Sequence, residues 1–361
     1  MKRSIILITV AALALVGCTK VQDVYIGAPQ EIAFKAIATP ATKAAIQSEV
    51  FPAGNSMEIA CYQSAPETAA NYFTKMTFSK DGDVWTGGEN AKYWPLSKAT
   101  LNFFAVSGAG LTASHVTIAD NLASASVAYT SANSYAASGE KSQIDIMYAF
   151  NRGSVTQSGN GLTIPGSVGM VFNHALGLVN FQIKAANDAS TAISISKIEL
   201  NGARYTGTLA ITNTNAATVS DAWSAQLDWT PDDVVNNVVV PNIGNVTTPV
   251  ALTTSYVPEN TTTTSAEGNA WAALMIIPRQ QKVSPENYGF TTFKIYYRFN
   301  NKNYTYEYAP AGYTGDTPNL TVVQAGKKYT YQISMQLHEI TVTPSVTQWA
   351  DETGGPYTLV I

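Results

Sequence analysis

The stretch Tyr329-Thr330-Tyr331-Gln332-Ile333-Ser334-Met335-Gln336-Leu337 reads as a strand buried on one face. Its odd positions are large and apolar and its even positions polar, the period of two that turns alternate side chains toward a core and toward water. Past His338-Glu339 the apolar parity moves to Ile340 and Val342. That shift predicts a β-bulge, because one extra residue exchanges the two faces. Upstream, Phe293, Ile295, Tyr297 and Phe299 repeat the alternation, and Tyr304, Tyr306 and Tyr308 answer it across Asn300-Asn301-Lys302. Two such runs around a short polar turn predict a β-hairpin.

Similar short runs fill most of the chain: 57–62, 73–78 with Val84-Trp85 across Asp81-Gly82, 101–106, 144–150, 168–172, 179–184, 193–200, 205–211, 238–240 and 272–277. Strands of this length and spacing, with few helical patterns between them, predict an all-β chain of sandwich type. The Ser- and Ala-rich stretch 107–138 and the polar run 258–268 read as surface loops. The chain's 361 residues suffice for two domains with separate cores, and a change of composition at Asn187-Asp188-Ala189-Ser190 marks the boundary.

Charged residues make up 13% of the chain and the formal net charge is -4. A typical soluble domain carries roughly a quarter charged residues, and no basic field is present to steer phosphate, so nucleic acid is not an expected partner. At the amino end, Lys2 and Arg3 precede the apolar run 5–16, the layout of an export signal and too short for the ~20 residues of a membrane-spanning helix. The following Leu15-Val16-Gly17-Cys18 resembles the lipobox of bacterial lipoprotein precursors. That resemblance implies a mature chain beginning at Cys18 and held to the membrane by lipid, its two or more acyl chains giving stable anchoring. With Cys18 occupied, Cys61 stands alone and no internal disulfide forms. It shares its parity with Met57 and Ile59, which makes it a small core residue.

A catalytic, metal or cofactor site is not expected. His115, His174 and His338 have no paired ligand spacing, and no nucleophile elbow, phosphate loop or dinucleotide fingerprint occurs. Asp232-Asp233 and Asp351-Glu352 sit in turn-like contexts and read as solvated charge rather than as a calcium or glycosidase pair. Trp85, Trp94, Trp223, Trp229, Trp271 and Trp349 leave open a second function, stacking of sugar rings on exposed indoles, although tryptophan more often packs a sandwich core.

A set of short motifs, taken in order, resembles the fimbrillins, the type V pilin lipoproteins. They are the lipobox at Cys18, Ala41-Thr42-Lys43-Ala44, Trp85 before Tyr93-Trp94-Pro95, and Leu101-Asn102-Phe103-Phe104-Ala105-Val106. Next come Asp145-Ile146-Met147-Tyr148-Ala149, Phe172-Asn173-His174-Ala175-Leu176 leading into Val179-Asn180-Phe181, Gly326-Lys327-Lys328-Tyr329, and Ile340-Thr341-Val342 through Trp349. The resemblance implies two transthyretin-like β-sandwich domains in tandem. It divides the chain into a signal peptide 1–17, a propeptide 18–43 with the first strand, an N-terminal domain 44–187 and a C-terminal domain 188–361.

It also implies an assembly route. The precursor reaches the outer membrane as a lipoprotein, a maturation protease removes the first strand, and a strand of another copy or of a related fimbrial subunit fills the groove. The resulting surface fimbrium supports adhesion to a host or bacterial ligand. On this sequence Ile32 and Phe34, with Ala36 on the same parity, are the plug, and the bond between Lys43 and Ala44 is the expected cut, with Lys35 as the other basic candidate. Tyr357, Leu359 and Ile361 alternate at the carboxyl end beyond Gly354-Gly355 and are the expected donor side chains, unless that end packs in its own domain. The cut in this family follows arginine, whereas no arginine lies between Cys18 and Arg152. An uncleaved anchor or tip protein is therefore the alternative fate.

Overall fold

The computed structural model of the chain describes residues 28–38, 56–64, 70–82, 84–108, 111, 113–119, 124–130, 146–159, 161–186, 193–204, 206–213, 225–231, 238–240, 249–256, 272–278, 290, 292–309, 323–336 and 340–348. Among them there is no α-helix; two short 3-10 turns, Gly88–Asn90 and Ala113–His115, interrupt an all-β chain.

The first sheet joins β1 (Phe34–Ala38), β2 (Ser56–Ser64), β3 (Ala70–Asp81), β4 (Val84–Thr86), β5 (Ala99–Ser107), β8 (Met147–Ser158), β9 (Gly161–Thr163) and β10 (Val168–His174) in the order β10-β1-β4-β3-β2-β5-β8-β9. β10 also pairs with β8, through Asn173 with Tyr148 and His174 with Met147. The sheet therefore closes on itself, and β1 is the strand that completes the ring between β10 and β4. Met57, Ile59, Cys61, Phe73, Phe78, Leu101 and Phe103 fill its interior.

The other face of β2 and β5 is buried too, which explains why Phe103 to Val106 is a continuous rather than alternating apolar run. Ala60, Phe104 and Val106 pack under a second sheet. That sheet has the order β14-β13-β7-β6, from β6 (Val116–Ile118), β7 (Ser124–Thr130), β13 (Thr206–Asn213) and β14 (Ala225–Pro231). Lys75 on β3 ties the sheets together by donating to the carbonyls of Ala113 and Val116. The expectation that 107–138 is loop is corrected here. Val116, Ile118, Ala125 and Val127 alternate inward and are buried, a pattern masked in the sequence by the small residues around them.

Two further sheets form a sandwich. One has the order β17-β11-β20-β21, from β11 (Gly177–Ala185), β17 (Ala272–Ile276), β20 (Lys327–Met335) and β21 (Ile340–Gln348). The other has the order β15-β12-β18-β19, from β12 (Ser194–Asn201), β15 (Val238–Val239), β18 (Thr292–Phe299) and β19 (Lys302–Tyr308), with β16 (Val250–Ala251) also paired to β12. Phe181, Phe293 and Tyr331 meet between them, with centroids 5.0 to 5.4 Å apart.

The hairpin of β18 and β19 has Phe299 opposite Lys302, so Asn300 and Asn301 form the turn, both with positive φ. His338-Glu339, where the bulge was expected, lie outside the described residues, but Met335 pairs with Ile340 in an antiparallel β20–β21 ladder, so the two strands form a hairpin. Opposite residues of a hairpin share a face, which moves the apolar parity from odd to even positions without an extra residue. A bulge does occur in β12, between Ile195 and Lys197. It lets Ile195 and Ile198, of opposite parity, both point into the core. Two features pass across the expected boundary at 187/188: β11 joins the later β20, and β13 joins the earlier β7.

Candidate functional site

The site is the slot that β1 occupies. β1 runs parallel to β10, with Phe34 beside Val168, Ala36 beside Met170 and Ala38 beside Phe172. On its other side it meets β4 antiparallel at Phe34 and Trp85. The residues before it extend the contact, with Glu31 bridged to Tyr93. The Ile32 amide donates to the Lys92 carbonyl at 2.7 Å, and the Trp94 amide donates to the Gln30 carbonyl at 2.9 Å. Toward β10, the Val168 amide donates to the Ala33 carbonyl at 2.9 Å. Gln30 Nε2 donates to the Pro165 carbonyl at 2.9 Å.

Alternation decides what enters the ring. Ile32 and Phe34 are fully buried and Ala36 nearly so, while Lys35 between them is exposed. The Phe34 ring stands edge-on to Phe78 at 5.0 Å and to Phe103 at 5.1 Å. Trp85, Trp94, Val168, Met170 and Phe172 belong to the same cluster. Burial of an aliphatic or aromatic side chain contributes roughly 1.5–3 kcal/mol, so Ile32 and Phe34 together hold a sizeable part of a domain's usual stability of about 5–15 kcal/mol.

Gly153 on β8 makes the wall possible. A Cβ there would clash with the Trp94 indole and stand 3.2 Å from Val168 Cγ2. Two buried polar atoms at the mouth have no hydrogen-bond partner, Glu31 Oε1 and Trp94 Nε1. Cys61 lies in the same core, and burial pushes its thiol well above the ordinary range.

Of the residues singled out from the sequence, Ile32 and Phe34 come together in this slot and Lys35 lies on its outer face. Cys18, Lys43, Ala44, Tyr357, Leu359 and Ile361 lie outside the described residues, as do Asp232, Asp233, Asp351 and Glu352. Trp85, Trp94 and Trp229 are each only 2% exposed, which removes them as sugar platforms, and Trp223, Trp271 and Trp349 lie outside the described residues. The walls Phe78, Phe103, Val168 and Met170 were legible as core positions but not as neighbours of β1. Alternation assigns a face and says nothing of which strand lies alongside.

No curated protein matches the sequence. A Bacteroides ovatus protein provisionally assigned to cell adhesion is 13% identical with a TM-score of 0.50, covering 91% of this chain and 100% of that one. A fimbrial protein of Bacteroides vulgatus is 16% identical with a TM-score of 0.47, covering 89% and 100%. The tip fimbrial protein Mfa3 of Porphyromonas gingivalis, with a C-terminal truncation, is 12% identical with a TM-score of 0.41, covering 89% and 100%. At 13% identity the likeness to the Bacteroides ovatus protein is one of fold alone. The sequence pattern of the fimbrillin-like family matches residues 42–349, which is most of the chain: the protein belongs to the fimbrillin-like family.

Proposed function

We propose that the chain is the precursor of a structural subunit of a cell-surface fimbrium, exported as a lipoprotein through Cys18, cut between Lys43 and Ala44, and polymerised by donor-strand exchange. The observation that carries this reading is the position of β1. It completes a closed sheet between β10 and β4 and fills the interior with Ile32 and Phe34, so its loss opens the ring and leaves ladder groups and apolar walls in need of a replacement. Lys35 is the weaker cut site, because its backbone is held in the ladder beside Gly169. Membership of the fimbrillin-like family supports assembly with copies of itself or with related subunits.

In this reading the donor is the carboxyl end, with Tyr357, Leu359 and Ile361 entering the slot of the next copy. The units 44–187 and 188–361, each transthyretin-like, belong to the same proposal, with β11 and the β13–β14 pair as the segments that pass across their boundary. The fimbrium carries adhesion to a host or bacterial surface.

The test is a chain lacking residues 356–361. It is expected to fold, reach the outer membrane and be cut, yet to form no fibres. Normal fibres from that chain would remove the carboxyl end as donor, and fibres whose polypeptide still begins at Cys18 would remove the cut.

A further inference from the structure

We propose that the outer face of β12, β18 and β19 is a saccharide-binding site centred on Tyr296, taking an extended, uncharged chain of sugars. It lies on the sandwich, apart from the slot of β1, and needs neither the cut nor strand exchange.

Parity builds this face. Ile198, Phe293 and Ile295 point into the core, so the residues alternating with them point out. The register sets Glu199 beside Lys294 and Lys294 beside Glu307, and makes Lys197, Tyr296 and Thr305 the next row. The bulge after Ile195 is what puts Lys197 rather than Ser196 opposite Tyr296.

These side chains hold one another in place. The Tyr296 hydroxyl is hydrogen-bonded to Glu199. Lys197 also pairs with Glu199 and stands 4.4 Å from the Tyr296 ring centroid. One strand over, Lys294 Nζ lies 3.6 Å from Glu307 Oε2, and Thr292 Oγ1 donates to Glu307 Oε1 at 3.0 Å. Glu199 is 4% exposed whereas the Glu307 side chain is 50% exposed, so the first anchors the network and the second is open to a ligand. Ion pairs at a surface add little to stability. Fixing rotamers before a ligand arrives does lower the ordering cost of binding.

Charge and composition select the occupant. Two carboxylates face two ammonium groups, with Arg298 exposed farther along β18. That near-balance gives no strong field for an anionic polymer or a lipid surface. Lys and Glu are depleted from the cores of protein interfaces, so a second copy finds no anchor here. Tyr304, the exposed aromatic of the same hairpin, lies on the opposite face, stacked on Tyr297. A sugar hydroxyl donates and accepts at once, which suits a surface where ammonium and carboxylate alternate from strand to strand. From Thr292 to Arg298 the face runs about 20 Å along β18, and its three strands span about 10 Å, an outline that fits a straight oligosaccharide.

The experiment titrates the full chain, held in detergent, with cellohexaose, mannohexaose and xylohexaose by isothermal calorimetry; all three are uncharged and straight. Saturable binding of at least one is expected. Tyr296→Ala is expected to weaken it about tenfold or more. Glu307→Gln keeps the side-chain shape, removes the charged acceptor, and is expected to weaken binding about threefold or more. Tyr304→Ala is expected to leave the affinity unchanged. If Tyr296→Ala fails to fold, Glu307→Gln and Lys294→Met carry the test. Absence of saturable binding to all three sugars overturns the proposal, as does binding that these variants leave intact. Tighter binding of a heparin hexasaccharide overturns it in favour of an anionic glycan. Self-association of the chain that Tyr296→Ala abolishes overturns it in favour of a contact between copies. No readout requires fibres, so strand exchange stands or falls separately.

Discussion

The ring of Phe34 meets the ring of Phe103 edge to face, with centroids 5.1 Å apart and planes at 83°. This contact joins the first described strand to β5 across the interior of a closed sheet. Replacing Phe34 by alanine in the uncut precursor is expected to cost about 3–5 kcal/mol, the range for deleting a buried aromatic. Urea unfolding of the two chains measures it; a change within 1 kcal/mol would mean that the ring walls collapse onto the vacancy.

Gly153 and Trp94 are expected to be coupled. Gly153→Ala places a methyl group where the Trp94 indole lies and is expected to destabilise by about 1–3 kcal/mol. In a Trp94→Phe background the same change should cost much less, because the indole atoms it clashes with are gone and the Val168 contact at 3.2 Å is the one that remains. Equal costs in both backgrounds, by a double-mutant cycle, would place the strain elsewhere.

Alkaline pH should unfold the sandwich. Burial pushes the Tyr329 phenol up to about 12 against a partial offset from the Gln324 amide, and burial pushes Tyr331 well above its usual range. A folded pKa raised above the unfolded value near 10 gives stability that is complete below pH 10 and lost as pH climbs through about 12. Stability measured from pH 8 upward is expected to hold to about 10 and then fall. Tyr331→Phe should flatten that decline.

On the outer face of the same sandwich, the hydrogen bond to Glu199 is the main cause that raises Tyr296 to about 12, helped by burial and by the charges of Glu199 and Glu307. Lys197 pairs with Glu199 and lies 4.4 Å from the Tyr296 ring centroid. Glu199→Gln is expected to lower the Tyr296 titration toward 10, read by the ultraviolet absorbance of a Tyr296→Phe difference spectrum. An unchanged titration would leave Glu199 without a role in it.

The Asn300-Asn301 turn has φ of 46° and 63°, a left-handed pair that suits a two-residue hairpin. Asn301→Gly is expected to stabilise by a few tenths to about 1 kcal/mol, and Asn301→Val to destabilise by more, since a branched side chain resists positive φ. Thermal midpoints of the three chains provide the comparison.

Much of this architecture is visible along the chain. The alternation in 329–337 and in 293–299 identifies strands with one buried face, and Asn300-Asn301 identifies the hairpin. The inward parity of Ile32, Phe34 and Ala36 is equally plain. These features are local, because a side chain's face follows from its position in the pleat and a turn from its own φ preferences.

Tertiary structure alone decided who stands beside whom. Ladder bonds use amide and carbonyl groups that nearly every residue owns, so nothing in 31–37 names β10 and β4 as flanks or shows that β1 closes a ring. The same gap hid the β13–β7 pairing and the antiparallel pairing of β20 with β21. Residue types prescribed which faces are apolar; the neighbours were chosen by the joint requirement that Phe34, Phe78 and Phe103 fill one interior while every strand beside them finds a partner.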